Sequence, residues 1–255
     1  MDQIRTACAI AGGGPAGMML GFLLARAGVS VVVLEKHADF LRDFRGDTIH
    51  PSTLEVIYEL GLLDEFLKLP HQKLQRLVGR IGNTPVRIAD FTHVPTHCKF
   101  IALMPQWDFL NFLVREGKRY PGFDLRMRAE VTELIEDSGC IAGVRVRTPD
   151  GELTITSTLV IGADGRHSTV RERAGLIVDD LGAPIDVLWM HLPRKPSDGD
   201  APLGRLGAGK IFVMLNRGDY WQCAYVIPKG AAEAINSEGI EAFRAAIGEI
   251  APDVG

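Results

Sequence analysis

A chain of 255 residues with 46% hydrophobic and 24% charged residues has the make-up of an ordinary globular protein, able to bury a core in one large domain or two small ones. Its formal net charge of −4, with no run of Lys and Arg, argues against a nucleic-acid surface. The four cysteines, Cys8, Cys98, Cys140 and Cys223, form no CxxC pair, which argues against a metal knuckle or a disulfide framework and suits a reducing, cytoplasmic setting.

The N-terminus enters an apolar strand over residues 7–11 almost at once, leaving no room for a signal peptide, and Arg26 interrupts the longest apolar stretch, so no membrane span is expected. That strand runs into GGGPAG, an apolar helix, a second strand and Glu35. The spacing of Gly12, Gly14 and Gly17 carries a physical meaning. Gly12 permits a tight turn, Gly14 lets a pyrophosphate approach the backbone, and Gly17 lets the helix pack close to the strand. The helix start offers free N–H groups and partial positive charge to phosphates. Glu35, at the tip of the second strand, is placed to accept the hydroxyls of an adenosine ribose. A bare GxGxxG is common, but strand, turn, helix, strand and acid in this order point to a bound dinucleotide, without saying which one.

A charged loop follows, and then a helix from Pro51 or Ser52, where Ser52 and Glu55 have capping-box spacing. Gly61 ends it. From Lys73 the pattern turns to period two, with strands around 74–81 and 85–91 joined by Gly82-Asn83 and another at 100–104. A helix is expected over 106–119, and strands over 129–137, 141–148 and 152–162, separated by turn residues. Residues 159–162 read as a buried strand running into Asp164-Gly165 and a short helix over 168–174. Strand-like segments return at 185–192, 209–215 and 220–227, before a final amphipathic helix near 238–250. His93, His97 and Cys98 have the residue types of metal ligands, but Pro95 lies between the histidines, so a shared helical face cannot be assumed and the metal reading is disfavoured. Trp189, Phe212, Met214, Trp221 and Tyr225 suit an apolar core or a substrate cavity, the core being favoured for any one of them.

The interleaving of these segments implies an α/β protein with two domains whose chains cross more than once: residues 1–72 and 103–180 forming a Rossmann-like domain, and 73–102 with 181–255 forming a smaller mixed-sheet domain.

Three features together resemble the FAD-dependent monooxygenases of the aromatic-hydroxylase type, with the p-hydroxybenzoate hydroxylase fold. They are GGGPAG with Glu35; the Asp-Gly motif ADGRHSTVR with Asp164, Gly165, Ser168 and Arg171; and a flavin-side pair, Arg45 in the loop before the second helix and Gln106 at the start of the next major helix. The Asp-Gly motif discriminates, since nicotinamide dehydrogenases with the same glycine turn lack it. Thr158 departs from a residue that is often charged in the family. The resemblance assigns cofactor contacts to Gly12, Gly14, Pro15, Ala16, Gly17, Glu35, Lys36, Arg45, Gln106, Asp164 and Gly165, and names no catalytic side chain. The alternatives are an N-cap role for Asp164, a solvated loop arginine at Arg45 and a plain helix-start residue at Gln106. Arg171 reads as a structural partner of Asp164 or the sheet.

The resemblance further implies FAD as resident cofactor, NADPH or NADH as transient co-substrate, and O₂ and a small aromatic-type molecule as substrates. A Gly-Asp-Ala-Ala-His motif of the family is absent, which reads as a chain ending before its return from the substrate domain. Two other functions stay open: a reductase or oxidase of the same fold that inserts no oxygen, and a non-catalytic dinucleotide-binding module. Substrate identity and oligomeric state are not legible.

Overall fold

The computed structural model describes residues 2–41, 48–195, 197, 203–207 and 209–252. In chain order β1 (Asp2–Ala11) leads through the glycine turn into α1 (Pro15–Arg26) and β2 (Val31–Glu35). Pro15 suits the first helical turn because its missing N–H would have no intrahelical partner there. Gly28, at φ 82°, closes the far end of α1 with its N–H on the Ala25 carbonyl. Next come β3 (Thr48–Ile49), α2 (Pro51–Glu59), α3 (Leu63–Phe66), β4 (Gln72–Leu74), β5 (Arg76–Ile81), β6 (Thr84–Asp90) and β7 (Ile101–Leu103). The chain continues through α4 (Gln106–Gly117), β8 (Phe123–Met127), β9 (Glu130–Asp137), β10 (Cys140–Thr148), β11 (Gly151–Gly162) and α5 (Thr169–Arg173). It finishes with β12 (Ile185–Pro193), β13 (Leu203–Gly207), β14 (Lys210–Asn216), β15 (Tyr220–Pro228) and α6 (Ala232–Ile250).

Contacts divide the chain into two units, 1–43 with 106–179 and 44–105 with 180–255. Residues 44–72 therefore cluster with the second unit, whereas the sequence reading had set them in the first. The crossing of the chain between units is as expected for an α/β fold of interleaved parts.

The first unit is built on one sheet in the order β8-β2-β1-β11-β10-β9. Its four leading strands are parallel, and β10 runs antiparallel to both β11 and β9. All five residues of β2 are buried, the pattern of a strand covered on both faces. Ile10, Met18, Phe22 and Leu34 are fully buried, each contributing roughly 2 kcal/mol by area bookkeeping.

One sequence expectation fails here. Residues 159–162 do form a strand, but not a buried one: Leu159 is 53% exposed. β10 pairs only with residues 151–156 of β11, so the edge of 157–162 turned away from β1 carries no strand among the described residues.

The second unit holds a six-stranded sheet, β12-β15-β14-β13-β5-β6, and a small sheet, β3-β7-β4. β13 joins β5 in parallel, while the other pairs of the large sheet are antiparallel. β8 and β13 were not anticipated from sequence. α6 packs on one face, where Phe212, Met214, Trp221, Cys223 and Tyr225 meet Phe243, Ile247 and Ile250. Trp189 alternates to the other side of β12 and is 40% exposed, so period-two geometry separates it from the four core residues grouped with it above. α6 begins six residues earlier than its apolar pattern implied and breaks at Gly239, whose φ is 85°. Burial pushes the Cys223 thiol up to about 12, as befits an inert packing cysteine. No described helix is long and apolar enough to cross a membrane.

Two local expectations are corrected in this unit. The capping box of α2 does not form. His50 is the N-cap without a side-chain bond, and the Glu55 carboxylate instead accepts from the His97 backbone N–H at 2.9 Å and meets its Nδ1 at 2.8 Å. That places His97, stacked on Tyr58, in a carboxylate pair. At the end of β6, Asp90 accepts the Thr92 hydroxyl at 2.6 Å and backbone N–H at 3.0 Å, and the Arg76 Nε at 3.1 Å. These bonds, Thr92 first, hold its carboxyl at about 2. A depressed folded value means that the stabilisation is complete above the ordinary carboxylate range and is lost as pH falls toward about 2. In Thr92→Ala the Asp90 titration followed by NMR should move up toward an ordinary carboxylate value. An unmoved midpoint would show that Thr92 is not the cause.

Candidate functional site

A crevice opens in the first unit at the carboxyl ends of β1, β2 and β11, where open parallel sheets bind their ligands. The local folding reasons are visible at the glycines. Gly12 has φ 104°, and a Cβ there would lie 2.3 Å from the Ala163 carbonyl oxygen, so only glycine allows the turn to pass under the end of β11. A Cβ on Gly17 would lie 1.9 Å from the Gly12 carbonyl oxygen, which fixes how closely α1 sits on the turn. Gly14 is different: a Cβ built there meets nothing within 4 Å. Its smallness serves no internal packing and leaves open the space in front of the helix start.

Glu35 is 7% exposed at the end of β2. Its Oε2 accepts the Gly13 N–H at 3.0 Å, and its Oε1 accepts the His37 N–H at 2.9 Å and lies 2.7 Å from His37 Nδ1. A Cβ on Gly13 would stand 2.7 Å from the Cβ of Glu35, so this glycine, too, is needed for the turn to reach the carboxylate.

Asp164 follows β11. Its Oδ2 accepts the Val170 N–H of α5 at 3.1 Å, while its Oδ1 is buried and has no hydrogen-bond partner among the described residues. The N-cap of α5 is Ser168, whose Oγ accepts from Arg171 N–H at 3.0 Å. The alternative reading of Asp164 as the N-cap is thus half right: it braces the same helix with one oxygen and leaves the other unmatched. Arg171 donates from Nη2 to the Arg166 carbonyl at 2.8 Å, tying the loop after Asp164 by its backbone rather than pairing with the aspartate.

Of the residues singled out from sequence, Gly12, Gly14, Glu35, Lys36, Gln106, Asp164 and Gly165 line this one crevice. Pro15, Ala16 and Gly17 form the first turn of α1 beside it without lining it. Arg45 lies outside the described residues. Sequence reasoning missed Gly13, His37 and His167, which also line the crevice. Gly13 was available as the middle glycine of the triplet. His37 gave no signal, standing in a charged loop with no periodicity.

The donor set suits a dinucleotide. It combines the N–H groups of a helix start for a pyrophosphate, a buried carboxylate at the tip of the neighbouring strand for a ribose diol, and an unpartnered carboxylate oxygen at the mouth. The orphaned Asp164 Oδ1 is the sharpest sign, since buried oxygens without a partner are rare in finished structures. Among the described residues no cluster of His, Cys, Asp and Glu could hold a metal.

Residues 5–216 match the family described as FAD binding domain. The chain belongs to the FAD binding domain family. Its cofactor is accordingly FAD. This family member is 28% identical over 259 residues to the 6-methylpretetramide 4-monooxygenase of Streptomyces rimosus, covering 99% of this chain and 62% of that protein. It is 28% identical over 254 residues to the 2,4-dichlorophenol 6-monooxygenase of Delftia acidovorans, covering 87% of this chain and 42% of that one. The crystal structure of the p-nitrophenol 4-monooxygenase PnpA from Pseudomonas putida DLL-E4 shares the fold, with a TM-score of 0.76 at 23% identity, over 93% of this chain and 61% of that one. The FAD-binding chain described here thus spans less than two thirds of the length of these relatives.

Proposed function

We propose that this protein acts as an FAD-dependent, NAD(P)H-using monooxygenase that hydroxylates a small aromatic or similarly electron-rich molecule. The observation that carries the cofactor half of this reading is the crevice in which Glu35 and the unpartnered Asp164 Oδ1 flank an open Gly14. The reaction half rests on likeness to relatives named 6-methylpretetramide 4-monooxygenase and 2,4-dichlorophenol 6-monooxygenase.

In this reading the first unit, residues 1–43 with 106–179, carries FAD, and the second, 44–105 with 180–255, carries the substrate. Gly12, Gly14, Pro15, Ala16 and Gly17 form the pyrophosphate cradle: the backbone approaches the phosphates at Gly14, and the first turn of α1 supplies N–H donors that have no intrahelical acceptor. Glu35 takes the adenosine ribose, and Lys36 adds a compensating positive charge beside it. Asp164 and Gly165 receive the part of the cofactor that runs past the end of β11, the spare Oδ1 accepting from it. Gln106, at the start of α4, adds an amide, and Arg45 brings a multi-donor cation to the phosphates or flavin edge. FAD, when bound, supplies the two-electron chemistry and the activation of O₂. The chain's part is to bind, orient and shield it. Apolar side chains on the exposed face of β12, Trp189 among them, offer an aromatic molecule a surface without competing hydrogen bonds.

Purified protein should take up FAD and show flavin absorbance, and NAD(P)H oxidation should yield a hydroxylated phenol from a substrate panel. Protein that stays colourless in excess FAD overturns the reading. NAD(P)H consumption that yields only peroxide would replace it with a reductase or oxidase of the same fold. Glu35→Gln keeps the shape of the side chain and removes its charge. ADP-ribose should then bind about tenfold more weakly, near 1.4 kcal/mol, the scale of hydrogen bonds to a charged group. Equal affinity in a calorimetric titration would remove Glu35 from the ribose contact.

A further inference from the structure

The loop after β2 is tied down in an unusual way. The Glu35 carbonyl accepts the Ala129 N–H at 2.9 Å and the His37 carbonyl accepts the Arg128 N–H at 2.8 Å. To make that second bond Arg128 adopts φ 54°, in the left-handed region that non-glycine residues seldom occupy. The backbone of residues 35–37 is thus pinned from both sides, while the His37 side chain, 45% exposed, stays able to turn. Within this frame the His37 backbone N–H and Nδ1 both sit on Glu35 Oε1, at 2.9 and 2.7 Å, and Gly13 N–H sits on Oε2. A carboxylate oxygen offers two in-plane lone pairs, so Oε1 is filled by one residue. A ribose diol that needs both carboxylate oxygens meets an acceptor already engaged.

We infer that His37 is the positioning residue of the sugar clasp: its imidazole stands in for a ribose hydroxyl on Glu35 Oε1, holds the carboxylate in its binding orientation, and yields that place when the adenosine arrives. This inference rests on the FAD reading above and deepens it. The exchange is easy while the imidazole is neutral, since one neutral donor to the carboxylate is traded for another. It is harder once the ring is protonated, because an imidazolium–carboxylate pair must open. Capture of the dinucleotide is therefore weaker in acid than in neutral solution. Among the described residues the other charged or titratable groups lining this crevice are Lys36 from the same loop, Glu130 of β9, and Asp164 and His167 after β11. His167 is the other histidine among them, so the test must separate the two.

The test is calorimetric binding of ADP-ribose, whose pyrophosphate diester keeps its charge throughout, between about pH 5.5 and 8. Wild-type affinity should drop roughly fivefold at the acid end, the scale of a half-exposed ion pair. His37→Ala and His37→Gln should both lose that dependence, and His37→Ala should bind more tightly than wild type at the acid end. His167→Asn should keep the wild-type profile. A flat wild-type profile, or a slope retained in both His37 variants, overturns the role of His37 and leaves the FAD reading standing. If no variant and no wild-type sample binds ADP-ribose or FAD at any pH, both fall together.

Discussion

Gly14→Val should yield a folded protein that no longer takes up FAD. Gly14 has φ −72° and ψ −177°, an extended conformation open to any residue, and a Cβ there touches nothing within 4 Å. The protein itself therefore has no steric objection to a side chain at this position. The change in helix-capping quality amounts to about 1 kcal/mol at most. A valine would instead fill the space in which the pyrophosphate has to meet the backbone at the start of α1. The loss in affinity should be at least a hundredfold, about 2.7 kcal/mol, which is the difference between a yellow protein and a colourless one after gel filtration. A thermal melt close to wild type would confirm that the fold is intact. Retained FAD at wild-type affinity would mean that the diphosphate rests elsewhere.

Gly17→Val should do the opposite and damage the fold first. The Cβ would lie 1.9 Å from the Gly12 carbonyl oxygen and 3.3 Å from Ile10 Cγ2. The first contact is with backbone, which cannot rotate away as a side-chain tip can. Either α1 lifts off β1, exposing Met18 and Phe22, or the turn at Gly12 opens. We expect a loss of about 3 kcal/mol or more in denaturant unfolding, at the high end of overpacking because the obstacle is main chain. A loss below about 1 kcal/mol would show that the close approach of helix and turn is not needed. The two substitutions sit three residues apart in one motif and should separate cleanly, one lost in binding and the other in stability.

What could be read in advance followed from local chemistry. The order of strand, GGGPAG, helix, strand and Glu35 located the crevice because each glycine answers a constraint within a few residues. Asp164 could be found because a strand ending in Asp-Gly before a helix is a recognisable place in an α/β fold. The misses are long-range. Gly13 matters only because Glu35 returns to it from the end of β2. Glu55 abandons its own helix for His97, forty-two residues on, a pairing that no spacing rule contains. Arg171 had a plausible acid nearby and chose a carbonyl. The apolar run at 159–162 read as buried because hydrophobicity was taken for burial, whereas burial depends on what lies on the neighbouring edge. His37 shows the limit most plainly: its role comes from a ring placed against one carboxylate oxygen, and a loop without periodicity offers no clue to that.

That bare stretch at 157–162 also governs how the molecule behaves in a tube. Its main-chain donors and acceptors point outward along a ready rail, with Leu159 lying on it and Leu176, Ile177 and Val178 exposed a short way further along the chain. Such a rail recruits any extended segment it meets, including the same rail on a neighbour. Concentrated preparations should therefore form sheet-rich aggregates before the folded units lose their shape, and a lysine in place of Leu159 should make the protein markedly easier to keep in solution.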